Sequence, residues 1–594
     1  MGLGLHKPIT SWFVAVDGRI ARGSGSIRSK PAQGGALLSK ARIGITLFSL
    51  VLAGSAGLHS SAVAASAPTL VTNDNDGATS YLRYDGTSDA TTTACSSGRR
   101  SQNEPTVAVD PRNTDIVVAG SNDYCAQIVN GDVWTGFYRS TNGGATWANS
   151  LVPGYPDDTS AAGAASPTHG VCSAAGDPTQ SFDTEGRLFY GFICFNRAQP
   201  TNGSVYVATY TNDGGTYVRT VRVDRGTPST WGLFQDKINV ATDQTGGPHS
   251  DNVYVAWATY PGQSDNNRMM FARSTDHGVT YSKPIAVDKG LSEKQFADLA
   301  VGPDGAVYLT YRTIAHQSST ANAVYVAKST DGGASFAPPV RVAGFTPFEG
   351  ADYGSGAGCG DGPFACATGF TYSRFSSLSA VAADDSGVHV VWNGRNAGGQ
   401  AKVYVSNSAD GIQWSAPATV DTAAAGHQWF PDVASADGVI SVVLYDSRRD
   451  PSYAPGVPPG NTAGGVNSGN VVDTRVAQST DGGNTWTEQV VSTVGSNFGW
   501  ETHSSRRLGF WGDYNYISAV PGGVYTVWTS SQDVVPGPDP RETGADDDED
   551  LFDVYQPCTY VPNDINAPSY TSPTIDDPCL SQGGLDQNIY GTSP

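Results

Sequence analysis

Ser140-Thr-Asn-Gly-Gly-Ala-Thr-Trp147 is the stretch on which the reading of this chain turns. It returns as Ser274-Thr-Asp-His-Gly-Val-Thr-Tyr281, as Ser329-Thr-Asp-Gly-Gly-Ala-Ser-Phe336 and as Ser479-Thr-Asp-Gly-Gly-Asn-Thr-Trp486. Two looser copies are Thr211-Asn-Asp-Gly-Gly-Thr-Tyr-Val218 and Ser408-Ala-Asp-Gly-Ile-Gln-Trp414. The residue types specify a tight hairpin: Asp or Asn accepts from its own downstream amides, and Gly supplies a positive φ. The closing aromatic then packs back onto the sheet. Six copies, 55–79 residues apart, mark an internal repeat.

Working outward, each copy is preceded by short apolar runs of strand character. Pro105-Thr-Val-Ala-Val109 and Asp115-Ile-Val-Val-Ala119 lead into the first. Asp298-Leu-Ala-Val301, Ala306-Val-Tyr-Leu-Thr-Tyr311 and Ala323-Val-Tyr-Val-Ala-Lys328 lead into the copy at Ser329, and Asp432-Val-Ala434 with Ile440-Ser-Val-Val-Leu-Tyr445 into the copy at Ser479. The unit therefore reads strand, strand, strand, turn, strand. Composition agrees: 71 Gly among 594 residues, 10% aromatic and only 15% charged suit many turns and short strands rather than long helices.

The repeated turn resembles the Asp-box, or BNR, repeat of bacterial sialidases and other propeller proteins, over roughly residues 100–560. The resemblance implies an all-β fold, a β-propeller of four-stranded blades. Unit starts near residues 104, 177, 236, 296, 375, 429 and 510 predict seven blades, with six, the sialidase number, as the alternative. The last unit has Asp513-Tyr-Asn-Tyr-Ile-Ser518, Gly523-Val-Tyr-Thr-Val-Trp528 and Phe552-Asp-Val-Tyr555, but no turn motif and no fourth strand. An N-terminal segment at Tyr81-Leu-Arg-Tyr84 is expected to complete it, because closing the ring removes its open edges. The expected division is a leader over 1–64, an N-terminal strap over 65–100, the propeller over 101–560 and a Pro-, Asp- and Ser-rich tail over 561–594.

Residues 1–42 carry seven Lys/Arg and one acid, Asp17, and Ile43-Gly-Ile-Thr-Leu-Phe-Ser-Leu-Val-Leu52 leads to Ala62-Val63-Ala64. This is the pattern of a secretory signal with a small-residue cleavage site. The expectation is a secreted monomer that is not held in a membrane once the leader is removed. The whole chain carries a net charge of −21, which argues against nucleic acid as a partner. All eight Cys lie beyond residue 64, and an even count in an exported chain reads as disulfides. Sequence neighbours suggest Cys95–Cys125, Cys172–Cys194, Cys359–Cys366 and Cys558–Cys579. No Cys/His pattern suggests zinc. No cofactor is expected, although a ring of acids on the axis would suit a structural calcium ion. The acidic run Asp546-Asp-Asp-Glu-Asp550 reads as a solvated loop.

Propeller topology puts first-strand starts and second-strand ends on one face, opposite the repeated turns. The first-strand starts carry Glu104, Asp177, Asp236, Asp298, Asp432 and Asp513. The second-strand ends carry Asp123, Arg197, Arg312, Arg395, Asp446 and Arg448. Paired carboxyls suit acid/base work on glycosidic bonds, and arginine forks suit anions. The competing reading is that the acids cap strand amides and the arginines neutralise them. Tyr124, Trp257, Tyr260, Tyr311, Trp392, Trp429, Trp511, Tyr514 and Tyr516 supply aromatic surface for sugar faces or for the core.

In sialidases three arginines hold the substrate carboxylate, a Tyr activated by Glu attacks, and an Asp is the acid/base. Carried over, the resemblance implies Asp123 as acid/base, with Glu104 as a second catalytic carboxyl. Tyr514 is the implied nucleophile, with Tyr445 or Tyr516 as alternatives. Glu349 or Glu501 is its partner, and Arg312, Arg395 and Arg448 are the later arginines. The position of the first arginine holds Asn103, with Arg99 and Arg100 just upstream. With Asn103-Glu-Pro-Thr-Val-Ala-Val-Asp-Pro111, Tyr445-Asp-Ser-Arg-Arg-Asp450 and Gly512-Asp-Tyr514, the chain resembles secreted bacterial sialidase-like proteins. The expected function is hydrolysis of acidic or neutral extracellular glycans at the acid/Arg mouth; the alternative is a propeller that binds glycan or protein there without catalysis.

Overall fold

A computed structural model describes residues 66–74, 80–96, 101–128, 132–196, 202–226, 233–261, 267–314, 321–348, 378–457, 459, 461–462, 465–466, 471–497, 511–533 and 587–594. Strand pairing resolves these residues into seven antiparallel blades of four strands. The first blade runs Gln102–Asp110, Asn113–Asp123, Trp134–Ser140 and Ala148–Leu151. One long strand, Ile285–Val301, serves two blades: its first half pairs outward with Asn267–Ser274, its second half with Val307–Ile314. The two α-helices among the described residues, Ala90–Cys95 and Ala161–Ala165, are short, and no helix there is long and apolar enough to cross a membrane.

The seventh blade is closed by both ends of the described chain. Its inner strands are Tyr516–Val520 and Gly523–Ser530, its third is Asn588–Thr592, and its outermost is Thr69–Leu70. This differs from expectation in two places. Thr69–Leu70, rather than Tyr81–Tyr84, pairs with Gly591 and Tyr590. Tyr81 is instead drawn into blade 1, where it bridges Asn149, packs edge-on against Tyr138 and donates its hydroxyl to Asp123. Asn588–Thr592 takes the third place that Phe552–Tyr555 was expected to fill; those four residues lie outside the described residues, as do 1–64 and 546–550.

The recurrent turn joins third to fourth strands in blades 1 to 6 and works as its residues predict. In blade 4, Ser329 Oγ bonds Asp331 Oδ1 at 2.8 Å and accepts from the Gly333 amide, while Asp331 accepts from the Ser335 amide and hydroxyl. Blades 1, 3 and 6 repeat the pattern. Each turn also leans on the preceding blade. Gly144, at φ +84°, comes so close to Tyr525 of blade 7 that a Cβ would sit 2.3 Å from its ring. From the preceding blade, Arg273 donates to the Asp331 carbonyl (3.0 Å), Lys328 to that of Asp410 (2.9 Å) and Asn407 to that of Gly482 (3.0 Å). Thr69 donates to the Gly144 carbonyl (2.7 Å) and so carries this latch across the closure.

The innermost strands meet at the axis. In five of them the register slips by one residue near the start, and the bulged residue is held at φ between +48° and +57°: Glu104, Asp177, Lys237, Phe296 and Phe430. Pro105, Pro178 and Pro431 follow three of them, placing a residue without an N–H where the ladder is interrupted. Past the bulges, equivalent positions form one level around the axis: Thr106, Thr179, Asn239, Asp298, Ala380, Asp432 and Tyr516. These side chains also join neighbouring blades. Asp298 accepts from the Val381 amide (2.7 Å), Asp432 from that of Ile517 (2.8 Å) and Thr179 from that of Val240 (3.2 Å). Capping of strand amides is thus a real task of Asp298 and Asp432.

The Cys95–Cys125 and Cys172–Cys194 disulfides are formed. Cys359, Cys366, Cys558 and Cys579 lie outside the described residues.

Candidate functional site: a lysine among four carboxyls at the mouth

The bulges re-aim side chains toward the end of the axis, a common use of an interrupted ladder beside a site. Glu104 of blade 1, Asp177 of blade 2, Asp236 and Lys237 of blade 3 and Asp513 of blade 7 converge there. Lys237 Nζ lies 2.6 Å from Asp513, 3.5 Å from Glu104 and 3.6 Å from Asp177. Its backbone N–H donates to Asp177 Oδ2 (3.0 Å). Asn122 ties two blades together, donating to Glu104 Oε2 (2.9 Å) and accepting from the Asp177 amide (2.9 Å). The aromatic walls are Tyr514 and Phe296, whose ring centres lie 5.4 and 5.9 Å from the ammonium. Gly512, at φ +79°, admits Glu104: a Cβ there would meet Glu104 Cγ at 2.2 Å.

Three of the carboxyls, Glu104, Asp177 and Asp236, titrate apart. Burial pushes Glu104 well above the usual range; Lys237 opposes this, and the charges of Asp177 and Asp513 add to it. Asp236 is pushed up to about 7, by burial and then by the Asp177 charge. Burial acts on Asp177 as well, yet Lys237 and the hydrogen bonds from Glu104, Asp236 and the Lys237 amide outweigh it and hold its pKa below the ordinary value. Asp177 is thus held as a carboxylate beside Glu104 and Asp236, whose pKa values are raised. Lys237 stays charged: burial alone would lower its pKa, but Asp177, Asp513, Glu104 and Asp236 together raise it. Tyr514 is kept protonated by burial and then by the charges of Glu104, Asp177 and Asp513. A phenol in this setting is a poor nucleophile.

Beneath this group a cavity of about 60 Å³ continues down the axis, lined by Lys237, Tyr514, Asp298, Asp432, Asn239 and Tyr516 among others. Asn239 Nδ2 donates to Asp298 Oδ1 (2.8 Å) and to the Tyr516 hydroxyl (3.2 Å).

The remaining expected site residues stand elsewhere. Asp123 is fully buried, and its carboxyl accepts from Tyr81 and Tyr138 (2.8 Å each), from Gln102 (3.5 Å) and from the Cys125 amide (3.0 Å). It braces the strap and the Cys95–Cys125 bridge. Arg448 is paired with Asp446 and Glu488, each at 2.7 Å. Arg312 is buried, 5.1 Å from the centre of the Phe296 ring, and donates to Gln295 (3.1 Å). Arg395 lines a separate groove with Thr346, Asn396 and Pro455. Tyr445 donates to the Thr529 carbonyl (2.7 Å). Asn103, at the place of the sialidase motif arginine, donates to Gln587 (3.1 Å). Trp257, Trp392, Trp429 and Trp511 are core residues. Arg197, Arg99, Arg100, Glu349 and Glu501 lie outside the described residues. The residue that composition and spacing missed is Lys237. It occupies the bulge position held by Glu104 and Asp177, and strict alignment of the repeats would have exposed it.

A scan against protein-family models finds no match, and a search of curated proteins finds none either. Solved structures do match. A leech intramolecular trans-sialidase is 12% identical with a TM-score of 0.37, over 58% of this chain and 65% of that one. The Hadza microbial sialidase Hz136 is 15% identical with a TM-score of 0.37, over 70% of this chain and 72% of that one. An α-L-arabinofuranosidase of Fusarium graminearum is 11% identical with a TM-score of 0.35, over 59% of this chain and 87% of that one. The chain thus spans about two thirds of the leech enzyme. The ring of four-stranded antiparallel blades in this chain has seven of them.

Proposed function

We propose that the chain is an exported, glycosidase-like propeller that hydrolyses glycosidic bonds of neutral sugars at the Glu104/Asp177/Asp236/Asp513 mouth. One observation carries the reading: a carboxyl with its pKa near 7, Asp236, beside a carboxylate, Asp177, held below the usual range. Neighbouring carboxyls pushed apart in this way divide into a proton donor and a stabiliser of positive charge. Asp236 keeps part of its surface in solvent and is the donor to the leaving oxygen. Asp177 and Asp513 face the cationic character that develops at the sugar carbon. Aromatic surface from Tyr514 supports stacking on a sugar face.

The preference for neutral sugars follows from charge. Four carboxyls gather there, and the ammonium of Lys237 is already engaged by three of them. A sugar carboxylate brought to this group would meet repulsion from them. The two disulfides and the leader-like residues 1–64 support an extracellular setting. The alternative, a propeller that binds glycan without cutting it, is favoured by the structural engagement of Asp123 and Arg448.

The test is release of free sugar from a panel of neutral glycosides and sialosides, by wild type and by Asp236→Asn. The expected result is release from a neutral member, none from sialosides, and a loss of ~10²-fold or more in the variant. Release from sialosides alone would refute the neutral preference; release from no member would refute hydrolysis and leave the binding reading.

A further inference from the structure

The axial cavity beneath the mouth has a chemistry of its own. Asp298 and Asp432 stand on the same level of the ring, both buried and both lining the cavity. Two buried carboxyls repel each other unless protons or a cation intervene. Independently of them, five polar atoms of the cavity wall are buried with no hydrogen-bond partner among the described residues: Thr106 Oγ1, Asn239 Oδ1, Ser379 Oγ and both amide atoms of Asn515. Their residues are 2%, 5%, 3% and 1% exposed. Buried polar atoms in native proteins are satisfied, so these orphans around one cavity call for an occupant. The cavity, about 60 Å³, is well above the ~10–15 Å³ that one water needs.

Four of the five unsatisfied atoms are oxygens, the fifth being the Asn515 amide nitrogen, and the carboxyl groups of Asp298 and Asp432 line the same cavity. Oxygen donors of mixed charge in a flexible number are what a hard cation of calcium's size takes. Among the described residues no group of three or more His, Cys, Asp or Glu side chains is arranged to hold a metal. Neutral oxygens must then complete the shell, and these are the atoms left without partners. We propose that the propeller binds one calcium ion on its axis, between Asp298 and Asp432, with Thr106, Asn239 and Ser379 supplying neutral ligands. The ion replaces the missing hydrogen bonds and joins blades 1, 3, 4, 5 and 6 at their narrowest point. Lys237 and Tyr514 line the same cavity, but the site takes none of the four mouth carboxyls as a ligand and stands whether or not the mouth is hydrolytic.

Terbium is the probe, because Tyr514 and Tyr516 line the same cavity and would sensitise its emission. The full chain, stripped with chelator, is titrated with terbium and then with calcium as competitor, and its thermal midpoint is measured with and without calcium. The expected result is one tyrosine-sensitised site per chain, displaced by calcium, and a midpoint raised by calcium. Asp432→Asn should weaken binding at least tenfold. Thr106→Val, which preserves shape and keeps both carboxyls, should weaken it several-fold, so the test survives a failure of the Asp variant to fold. Absence of sensitised emission, a midpoint indifferent to calcium, or undiminished affinity in both variants would overturn the proposal and leave water as the occupant.

Discussion

Replacing Lys237 with methionine removes the single ammonium from a buried group of carboxyls while keeping most of the side-chain volume. Its nitrogen lies within 3.6 Å of Asp513, Glu104 and Asp177, and the residue is 8% exposed. Breaking a buried pair by deleting one partner costs ~3–5 kcal/mol, because the other partner is left charged and uncompensated. For a ring of several hundred residues the entropy of unfolding is on the order of 1 kcal/mol/K, so the melting temperature at pH 7 should fall by ~3–5 °C. The pH dependence is the sharper signature. In the native protein Asp177 has a lowered pKa, so it contributes stability above its unfolded pKa of ~3.9 and loses it as pH falls. Without the ammonium, burial dominates and raises the folded pKa of Asp177. It then contributes most below ~3.9, and that contribution fades as pH rises through the raised value. The gap between wild type and Lys237→Met should therefore be widest near pH 7 and narrow toward pH 4. Thermal scans of both proteins at pH 4.5 and 7 read this directly. A gap that does not change with pH, or a shift under 1 °C at pH 7, would mean that Lys237 is solvated and the carboxyls do not depend on it.

Three further outcomes are expected. The hydrolytic activity proposed above should decline as pH rises through about 7, where Asp236 loses its proton, and Asp236→Asn should abolish that limb of the profile. Replacing Cys95 and Cys125 together with alanine opens a loop of sequence separation 30 and should lower the unfolding free energy in urea by ~3.5 kcal/mol. Gly144→Ala should destabilise more than Gly482→Ala. Both glycines have positive φ, which sets a backbone penalty of roughly 1–2 kcal/mol, but only at Gly144 does the new Cβ meet a ring, that of Tyr525. Equal midpoints for the two variants would show that the turn does not bear on the preceding blade.

How much was readable beforehand follows from the range of the interactions involved. The recurrent turn is legible because Ser329, Asp331, Gly333 and Ser335 satisfy one another within seven residues. Seven blades follow from counting the units around it. The pairs Cys95–Cys125 and Cys172–Cys194 were legible because each joins near neighbours in sequence. The site was legible only in outline. Glu104, Asp177, Asp236 and Asp513 stand at strand starts and converge as topology requires. The roles of Asp123 and Lys237 were hidden. Asp123 is occupied by Tyr81, 42 residues away in the strap, and no local pattern announces that hydrogen bond. Lys237 is a cation at a bulge position that carries an acid in blades 1 and 2 and Phe in blades 4 and 6, so a search for repeated acids passes over it. The closing strand Thr69–Leu70 escaped notice because two residues carry no periodicity.

That closing strand has a consequence for the order of events in the life of the chain. Blade 7 is assembled from Thr69–Leu70 on its rim and from Tyr516–Thr592 within, so the first part of the ring made waits for the last. Until Asn588–Thr592 emerges, Thr69–Leu70 has no strand to pair with, and the latch from Thr69 to the turn of blade 1 lacks that support. A chain threaded through a membrane N-terminus first would cross with its blades unlocked and gain its closed form only on the far side. Completion of the ring then serves as a checkpoint on synthesis: a product cut short before Asn588 lacks the strand that bridges the two ends and presents the open edge of Gly523–Ser530 to any protease it meets.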